Sequence, residues 1–214
     1  MMQHYLKMKE ENPDSILFYR LGDFYEMFFE DAKLVSQELD LVLTGRSAGV
    51  EEKVPMCGIP FHAANSYIQR LVKKGYKVAI CEQLEDPSSA KGLVDRGIIK
   101  IITPGTYMDA TMDAKSTNYM ASCDVSSFEI TVIYCELSTG ELKYQTLQRS
   151  LVALQKALLE QNVSELVCPM TMDKKWMAAL EEMDTMLISK HKKANIDSED
   201  LPLLNGIESE SLKE

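Results

Sequence analysis

Residues 18–29 carry the sequence FYRLGDFYEMFF, and this stretch decides how the first half of the chain folds. The apolar run at 15–21 predicts a buried strand that ends at a glycine. Apolar side chains then recur at helical spacing over residues 24–39, so we predict a helix that starts directly after that glycine. Asp23 would cap this helix, and Glu26, three residues later, would complete a capping box.

The same stretch has a second interpretation, in which Phe24 and Glu26 bind a ligand. Side chains in the first turn of a helix can project beyond the protein core. An aromatic ring beside a carboxyl group could stack on a nucleic-acid base and hydrogen-bond its edge. The residues alone favour the structural interpretation, with Phe24 in the core and Asp23 and Glu26 as caps, but they leave both open.

Strands alternate with helices along the rest of the chain, which predicts α/β layers. In the first half we predict helices at 2–10 and 63–74, strands at 41–44, 54–57, 76–82 and 98–103, and a polar loop at 45–53. In the second half we predict a hairpin of strands 128–137 and 142–147, helices at 151–160 and near 174–183, and strands at 165–168 and near 186–189. Residues 107–118 are polar and without clear period, and we interpret them as a linker.

The formal net charge of the 214-residue chain is −10, which argues against attraction to the phosphate backbone of nucleic acids. That charge is unevenly distributed. Residues 1–105 carry 13 basic and 15 acidic side chains, net −2, and residues 106–214 carry 10 and 18, net −8. Residues 65–100 carry seven basic and four acidic side chains, net +3. The acidity therefore belongs mainly to the second half, and the first half remains compatible with nucleic-acid binding.

The sequence lacks the motifs of common enzyme classes. It contains no Walker A loop, GxGxxG, HExxH or GxSxG pattern. Asp124 and Glu136 flank strand-like residues and could pair at a metal ion, although single acids at strand ends are usually solvated. The five cysteines lie in apolar stretches, as reduced thiols do inside a cell. We expect a cytoplasmic protein with no catalytic residue, metal, cofactor, signal peptide or membrane span in this chain.

Four blocks resemble, in order and spacing, the MutS family of DNA mismatch repair proteins. They are GDFYEMF at 22–28, PMCGIPFH at 55–62, GYKVAICEQ with the following Asp-Pro at 75–87, and TPGT at 103–106. The second half is similar more weakly, through STGE at 138–141. The resemblance implies two mixed α/β domains. The first, over 1–106, would be a mismatch-binding domain with a mixed sheet flanked by helices, and the second, over 119–214, an RNase H-like connector domain that need not be complete.

The resemblance also implies a function, the recognition of mispairs or small loops in double-stranded DNA. Phe24 would insert from the minor groove and stack on the mispaired base, and Glu26 would hydrogen-bond that base while the duplex kinks. Asp23 belongs to the same motif. Arg46 would reach a phosphate or the groove from its polar loop, and Met56 would pack in the widened groove.

Whole MutS proteins are several times longer than this chain. The resemblance implies that a P-loop ATPase, which uses ATP and Mg, and the homodimer belong to the full-length protein and not to these residues. The alternative function is that of a protein-interaction module, which docks MutL through the second half and has no DNA binding of its own.

Overall fold

Each half of the chain builds its own mixed β-sheet. The computed structural model describes residues 1–47, 53–84, 95–108 and 118–191. They fall into two units, Met1–Thr103 (unit 1) and Pro104–Glu214 (unit 2), each with a sheet and flanking helices. The predicted class of two mixed α/β domains is confirmed. The units divide three residues before the predicted domain end at 106, and most of the predicted linker lies outside the described residues.

Unit 1 contains a six-stranded sheet in the order β3-β4-β2-β1-β5-β6. Its strands are β1 (Ser15–Leu21), β2 (Phe24–Phe28), β3 (Thr44–Arg46), β4 (Val54–Pro60), β5 (Lys77–Gln83) and β6 (Arg96–Ile102). Its helices are α1 (Met2–Glu11), α2 (Phe29–Leu39) and α3 (Ala64–Val72), with a 3₁₀ turn at Phe61–Ala63. The pair β1 and β5 is parallel, and the other neighbours are antiparallel.

The sheet of unit 1 has helices on both faces. Tyr5 of α1 packs against Tyr19 and Phe28 on one face, which we call the α1 face. On the other face the thiol of Cys57 lies 3.5 Å from the carbonyl oxygen of Ala32 in α2, and α3 lies beside α2. Because side chains of a strand alternate between faces, neighbouring residues of β2 belong to different sides of unit 1.

A buried carboxylate joins α1, α2 and β1. Asp31 accepts hydrogen bonds from the Tyr5 hydroxyl at 3.2 Å, the Lys9 ammonium at 2.8 Å and the Leu17 N–H at 3.0 Å. Burial is the main reason why the pKa of Tyr5 is raised. Since a buried charge is tolerated only when it is paired and hydrogen-bonded, these three donors explain an aspartate at this position.

Unit 2 contains a five-stranded sheet in the order β11-β10-β7-β8-β9. Its strands are β7 (Tyr119–Val125), β8 (Glu129–Glu136), β9 (Glu141–Gln148), β10 (Val163–Pro169) and β11 (Leu187–His191), and its helices are α4 (Leu151–Glu160) and α5 (Lys174–Glu181). Strands β7 to β9 form an antiparallel meander, and β10 and β11 run parallel to β7. Strand β7 was not predicted from the sequence.

The main correction to the predicted elements concerns residues 24–28. They form a strand instead of the first turns of a helix, and α2 begins only at Phe29. Leu21 pairs with Phe24 across a two-residue turn, and Gly22 at its first position has a φ of +58°. Positive φ at this position is typical of a type II′ hairpin turn. Asp23 therefore caps no helix, and the predicted capping box with Glu26 is wrong.

The acids considered as a metal pair lie at opposite ends of the unit 2 sheet. Asp124 pairs with Thr131, whereas Glu136 pairs with Tyr119 at the other end of the same two strands. The Glu136 carboxylate accepts hydrogen bonds from the hydroxyls and backbone N–H groups of Ser138 and Thr139. These bonds, above all those from the hydroxyls, lower the pKa of Glu136 to about 2. Glu136 therefore stabilises the STGE turn.

The described residues offer neither a metal-binding cluster nor a membrane-spanning helix. No group of three or more His, Cys, Asp or Glu residues in them could hold a metal ion. None of the helices in the same residues has the length and apolar character needed to cross a membrane. All five cysteines are free thiols, and four of them are buried.

Gly105, in the TPGT block, packs against a second buried carboxylate, that of Glu165. The N–H of Gly105 donates to Glu165 Oε2 at 3.2 Å, and the hydroxyl of Ser189 donates to Oε1 at 2.5 Å. A Cβ at Gly105 would lie 2.8 Å from the Cβ of Glu165 and 2.9 Å from Oε2. Glycine is therefore required here because no side chain fits.

We expect Gly105→Ala to lower the free energy of unfolding of unit 2 by about 1–3 kcal/mol, because the added methyl group overpacks Glu165. Trp176, the only tryptophan, packs against the core of unit 2 and reports its urea denaturation by fluorescence. Gly140→Ala is the control. Its φ is +73° but its Cβ would meet nothing within 4 Å. A loss for Gly105→Ala no larger than for the control would contradict the overpacking.

Candidate nucleic-acid interface

Strand pairing brings four of the five predicted site residues to the α1 face of unit 1. Residues directly opposite in antiparallel strands share a face of the sheet. Glu26 pairs with Tyr19, which lies on the α1 face, so Phe24 and Glu26 lie on that face too. In β4, Met56 pairs with Phe28 and therefore lies on this face. Gly58 and Val54, two positions away on either side, pair with Glu26 and with Arg46, which puts Arg46 on the same face. Asp23 lies in the turn, not on the face.

Phe24 is the most exposed residue of β2, with 47% of its surface accessible. The turn before it is fixed from two sides. Arg20 Nε donates to the Gly22 carbonyl at 2.5 Å, and the Phe61 N–H donates to the Asp23 carbonyl at 3.0 Å. The guanidinium of Arg20 also lies over the Phe61 ring, 3.6 Å from its centroid. An exposed aromatic ring therefore stands on a turn that its neighbours hold in place.

The opposite face anchors the same strand. Tyr25, which alternates with Phe24 and Glu26, is buried, and its hydroxyl donates to Glu82. Burial, and then the carboxylate of Glu82, raises the pKa of Tyr25 to about 12. Tyr25 therefore stays neutral and keeps donating this bond, so β2 is fixed to β5 below the exposed face.

Glu26 and Arg46 form an ion pair on the α1 face. An N–H of the Arg46 guanidinium donates to Glu26 Oε2, and the two side chains are 17% and 40% exposed for Glu26 and Arg46 respectively. Strand β4 lies between their strands. Its residue opposite Glu26 is Gly58, which has no side chain to cover the carboxylate. Arg46 was predicted in a polar loop, and the structure corrects this, because it ends β3.

Two other predicted residues differ in exposure. Met56 is half-buried and packs against the core cluster of α1, β1 and β2. Asp23 is exposed, and its carboxylate makes no hydrogen bond or ion pair with the residues that the structure describes. The face thus runs from an exposed aromatic ring to an ion pair, with a thioether at the edge of the core.

Three residues outside the predicted site residues shape the rest of this face. Gly58 and Pro60 alternate with Met56 in β4, a period of two that is visible in PMCGIP. Arg96 is the first residue of β6, and its Nε donates to the carbonyl of Arg20 at 2.9 Å. It is buried, with its guanidinium 5.5 Å from the centroid of the Tyr19 ring. No local pattern predicts this long-range contact.

Comparisons with known proteins identify the kind of domain and then its family. Residues 1–111 match the family model of MutS domain I, so unit 1 is a mixed α/β domain of that type. The chain belongs to the MutS family.

Two relatives show how much of such a protein the chain covers. It is 53% identical over 175 residues to the DNA mismatch repair protein MutS of Clostridium botulinum (strain Loch Maree / Type A3), covering 77% of the chain and 19% of that protein. It is 46% identical over 217 residues to the DNA mismatch repair protein MutS of Clostridium tetani (strain Massachusetts / E88), covering 100% of the chain and 24% of that protein. The chain spans about a quarter or less of the length of these relatives.

Substitutions at Gly22 and Asp23 distinguish the hairpin turn from the helix cap predicted from the sequence. Gly22→Ala should lower the stability of unit 1 by about 1 kcal/mol, because alanine is strained at positive φ. Asp23→Ala, at the next position, should change stability by less than about 0.5 kcal/mol. Amide hydrogen exchange of β1 and β2 measures both. If Asp23→Ala lowers the stability as much as Gly22→Ala does, the hairpin interpretation is wrong and Asp23 acts as a helix cap.

Proposed function

We propose that the chain recognises mispaired bases and small loops in double-stranded DNA, as part of DNA mismatch repair. The observation that carries the proposal is the exposed ring of Phe24 on the same sheet face as the Glu26 carboxylate. The relatives are named DNA mismatch repair proteins, which supports the same function.

In this proposal Phe24 is a wedge that enters the minor groove and stacks on the mispaired base. Unstacking one base step costs about a few kcal/mol. A mispair has already lost part of its pairing and stacking, so the duplex kinks more easily there. Recognition then depends on how easily the duplex deforms and much less on a sequence code. A ring carried on a fixed turn suits this role because the backbone beneath it has little freedom left to lose on binding.

The other residues of the face have proposed roles beside the wedge. Glu26 hydrogen-bonds the displaced base, and Met56 packs in the widened groove. Arg46 neutralises the carboxylate of Glu26, which would otherwise repel the phosphates. We place Asp23 in the interface only through its position in the turn before Phe24.

The charge distribution supports a division of work between the units. The first half is nearly balanced, and the acidity lies in the second. A wedge that reads deformability needs less phosphate neutralisation than a groove reader does. For the complete protein we propose a cytoplasmic homodimer that uses ATP and Mg, as in the family.

The wedge is tested by comparing wild type with Phe24→Ala in the complete protein that contains this chain. Dissociation constants for a duplex with one mispair and for its matched counterpart are measured by fluorescence anisotropy. Loss of the stacking contact, worth about 1–3 kcal/mol, should lower the preference for the mispair by roughly tenfold or more.

Phe128→Ala is the control for this experiment. Phe128 is also an exposed aromatic residue, at 89%, but it belongs to unit 2, in the turn between β7 and β8. We expect this variant to keep the preference. If the preference of Phe24→Ala equals that of wild type, Phe24 is not the wedge.

A second candidate function is protein interaction through unit 2, with MutL as the partner. Phe128, in the turn between β7 and β8, is 89% exposed, and Val152 of α4 is 72% exposed. A cavity of about 230 Å³ lies at the carboxyl ends of β7 and β10, with Arg149 and Trp176 in its lining. The meander followed by two parallel strands also supports the RNase H-like connector fold that we propose for unit 2.

The second function is tested by replacing an exposed apolar side chain of unit 2 and measuring the capture of MutL. Phe128→Ser in the complete protein should weaken capture of MutL by several-fold. The reason is that burial of a large exposed apolar side chain by a partner contributes strongly to the binding free energy. Phe24→Ala should leave the capture unchanged. If the Phe128→Ser variant captures MutL as well as wild type does, the turn between β7 and β8 is not part of the MutL interface.

A further inference from the structure

The ion pair between Arg46 and Glu26 occupies only part of the carboxylate. The guanidinium donates to Oε2 of Glu26, and Oε1 has no hydrogen bond in the part of the chain that the structure describes. The carboxylate is mostly buried, and the arginine is more open to solvent. Gly58, opposite Glu26, leaves this side of the carboxylate without a covering side chain. One oxygen is therefore held, while the other can still accept or share a hydrogen bond.

We propose that Arg46 is a positioning residue, which fixes the rotamer of Glu26 through Oε2 and leaves Oε1 for the edge of a mispaired base. This inference rests on the proposed function. It assigns to Arg46 a share in telling mispaired from matched DNA, beyond a general attraction to phosphate.

Side-chain entropy explains why such a residue matters. A glutamate side chain has several rotamers, and holding it in one of them costs conformational entropy. Arg46 restricts those rotamers before DNA arrives, so less of that cost falls on the contact with the base. Restricting the rotamers of Glu26 in this way requires a partner on another strand, and that partner is Arg46 of β3.

A simple contact between Arg46 and a phosphate group would have different effects on binding. It would strengthen binding to matched and mispaired duplexes alike, and its removal would reduce the slope of log affinity against log salt by about one unit. Positioning acts only through Glu26. Removal of Arg46 should then lower the ratio of matched to mispaired dissociation constants, and only while Glu26 is present.

The experiment is a double-mutant cycle in the complete protein that contains this chain. Wild type, Arg46→Gln, Glu26→Ala and the double variant bind a duplex with one G·T mispair and its matched counterpart. Arg70→Gln is the control for lost charge, because Arg70 is an exposed arginine of α3. The pair is open to solvent on its Arg46 side, at 40% exposure, so we expect each variant to fold, and thermal unfolding checks this.

We expect Arg46→Gln to lower the ratio about tenfold, the value of one hydrogen bond to a charged group. Glu26→Ala should lower it by a similar factor, and the double variant should show no further loss. Arg70→Gln should leave the ratio unchanged.

Two results would overturn the positioning role. One is an equal weakening of both duplexes by Arg46→Gln, with an unchanged ratio. The other is a double variant whose loss equals the product of the two single losses. If Phe24→Ala and Glu26→Ala also leave the ratio unchanged, the proposed function itself fails. If those two lower the ratio and Arg46→Gln does not, only the role of Arg46 is wrong.

Discussion

The alternation of side chains along β2 is the constraint on which the candidate site depends. The tight turn at Gly22 starts the strand at Phe24, and pairing with β1 and β4 fixes its register. A shift of one residue would move Phe24 and Glu26 into the core and Tyr25 and Met27 out of it. The pairing of β4 with β2 and with β3 then places Met56 and Arg46 on the same face as Phe24 and Glu26.

Most elements could be predicted from the sequence because their periodicity is strong. The strand at 15–21, the first helix and the hairpin of unit 2 agree closely with the structure. Residues 24–28 could not, because FYEMF fits a helical period and an alternating one, and only pairing with β4 decides between them. The ion pair joins residues 20 apart on non-adjacent strands, and no local pattern predicts it.

The net charge of −10 has little bearing on this face. Glu26 and Arg46 are paired with each other beside the exposed ring of Phe24, so together these two residues add no net charge to the face. Much of the acidity lies beyond residue 105. Total charge describes solubility and long-range attraction, whereas a site that reads deformation depends on shape and on a few placed groups.

The Asp31 cluster has a consequence for how the sequence can evolve. One carboxylate of α2 serves three donors from α1 and β1, so replacing it leaves the Leu17 N–H without its acceptor and takes one acceptor each from the Tyr5 hydroxyl and the Lys9 ammonium. Tyr5, Lys9 and Asp31 are therefore epistatic, since the effect of changing one depends on the state of the others. Substitutions there would alter the abundance of the protein, although none of these three residues is a candidate site residue.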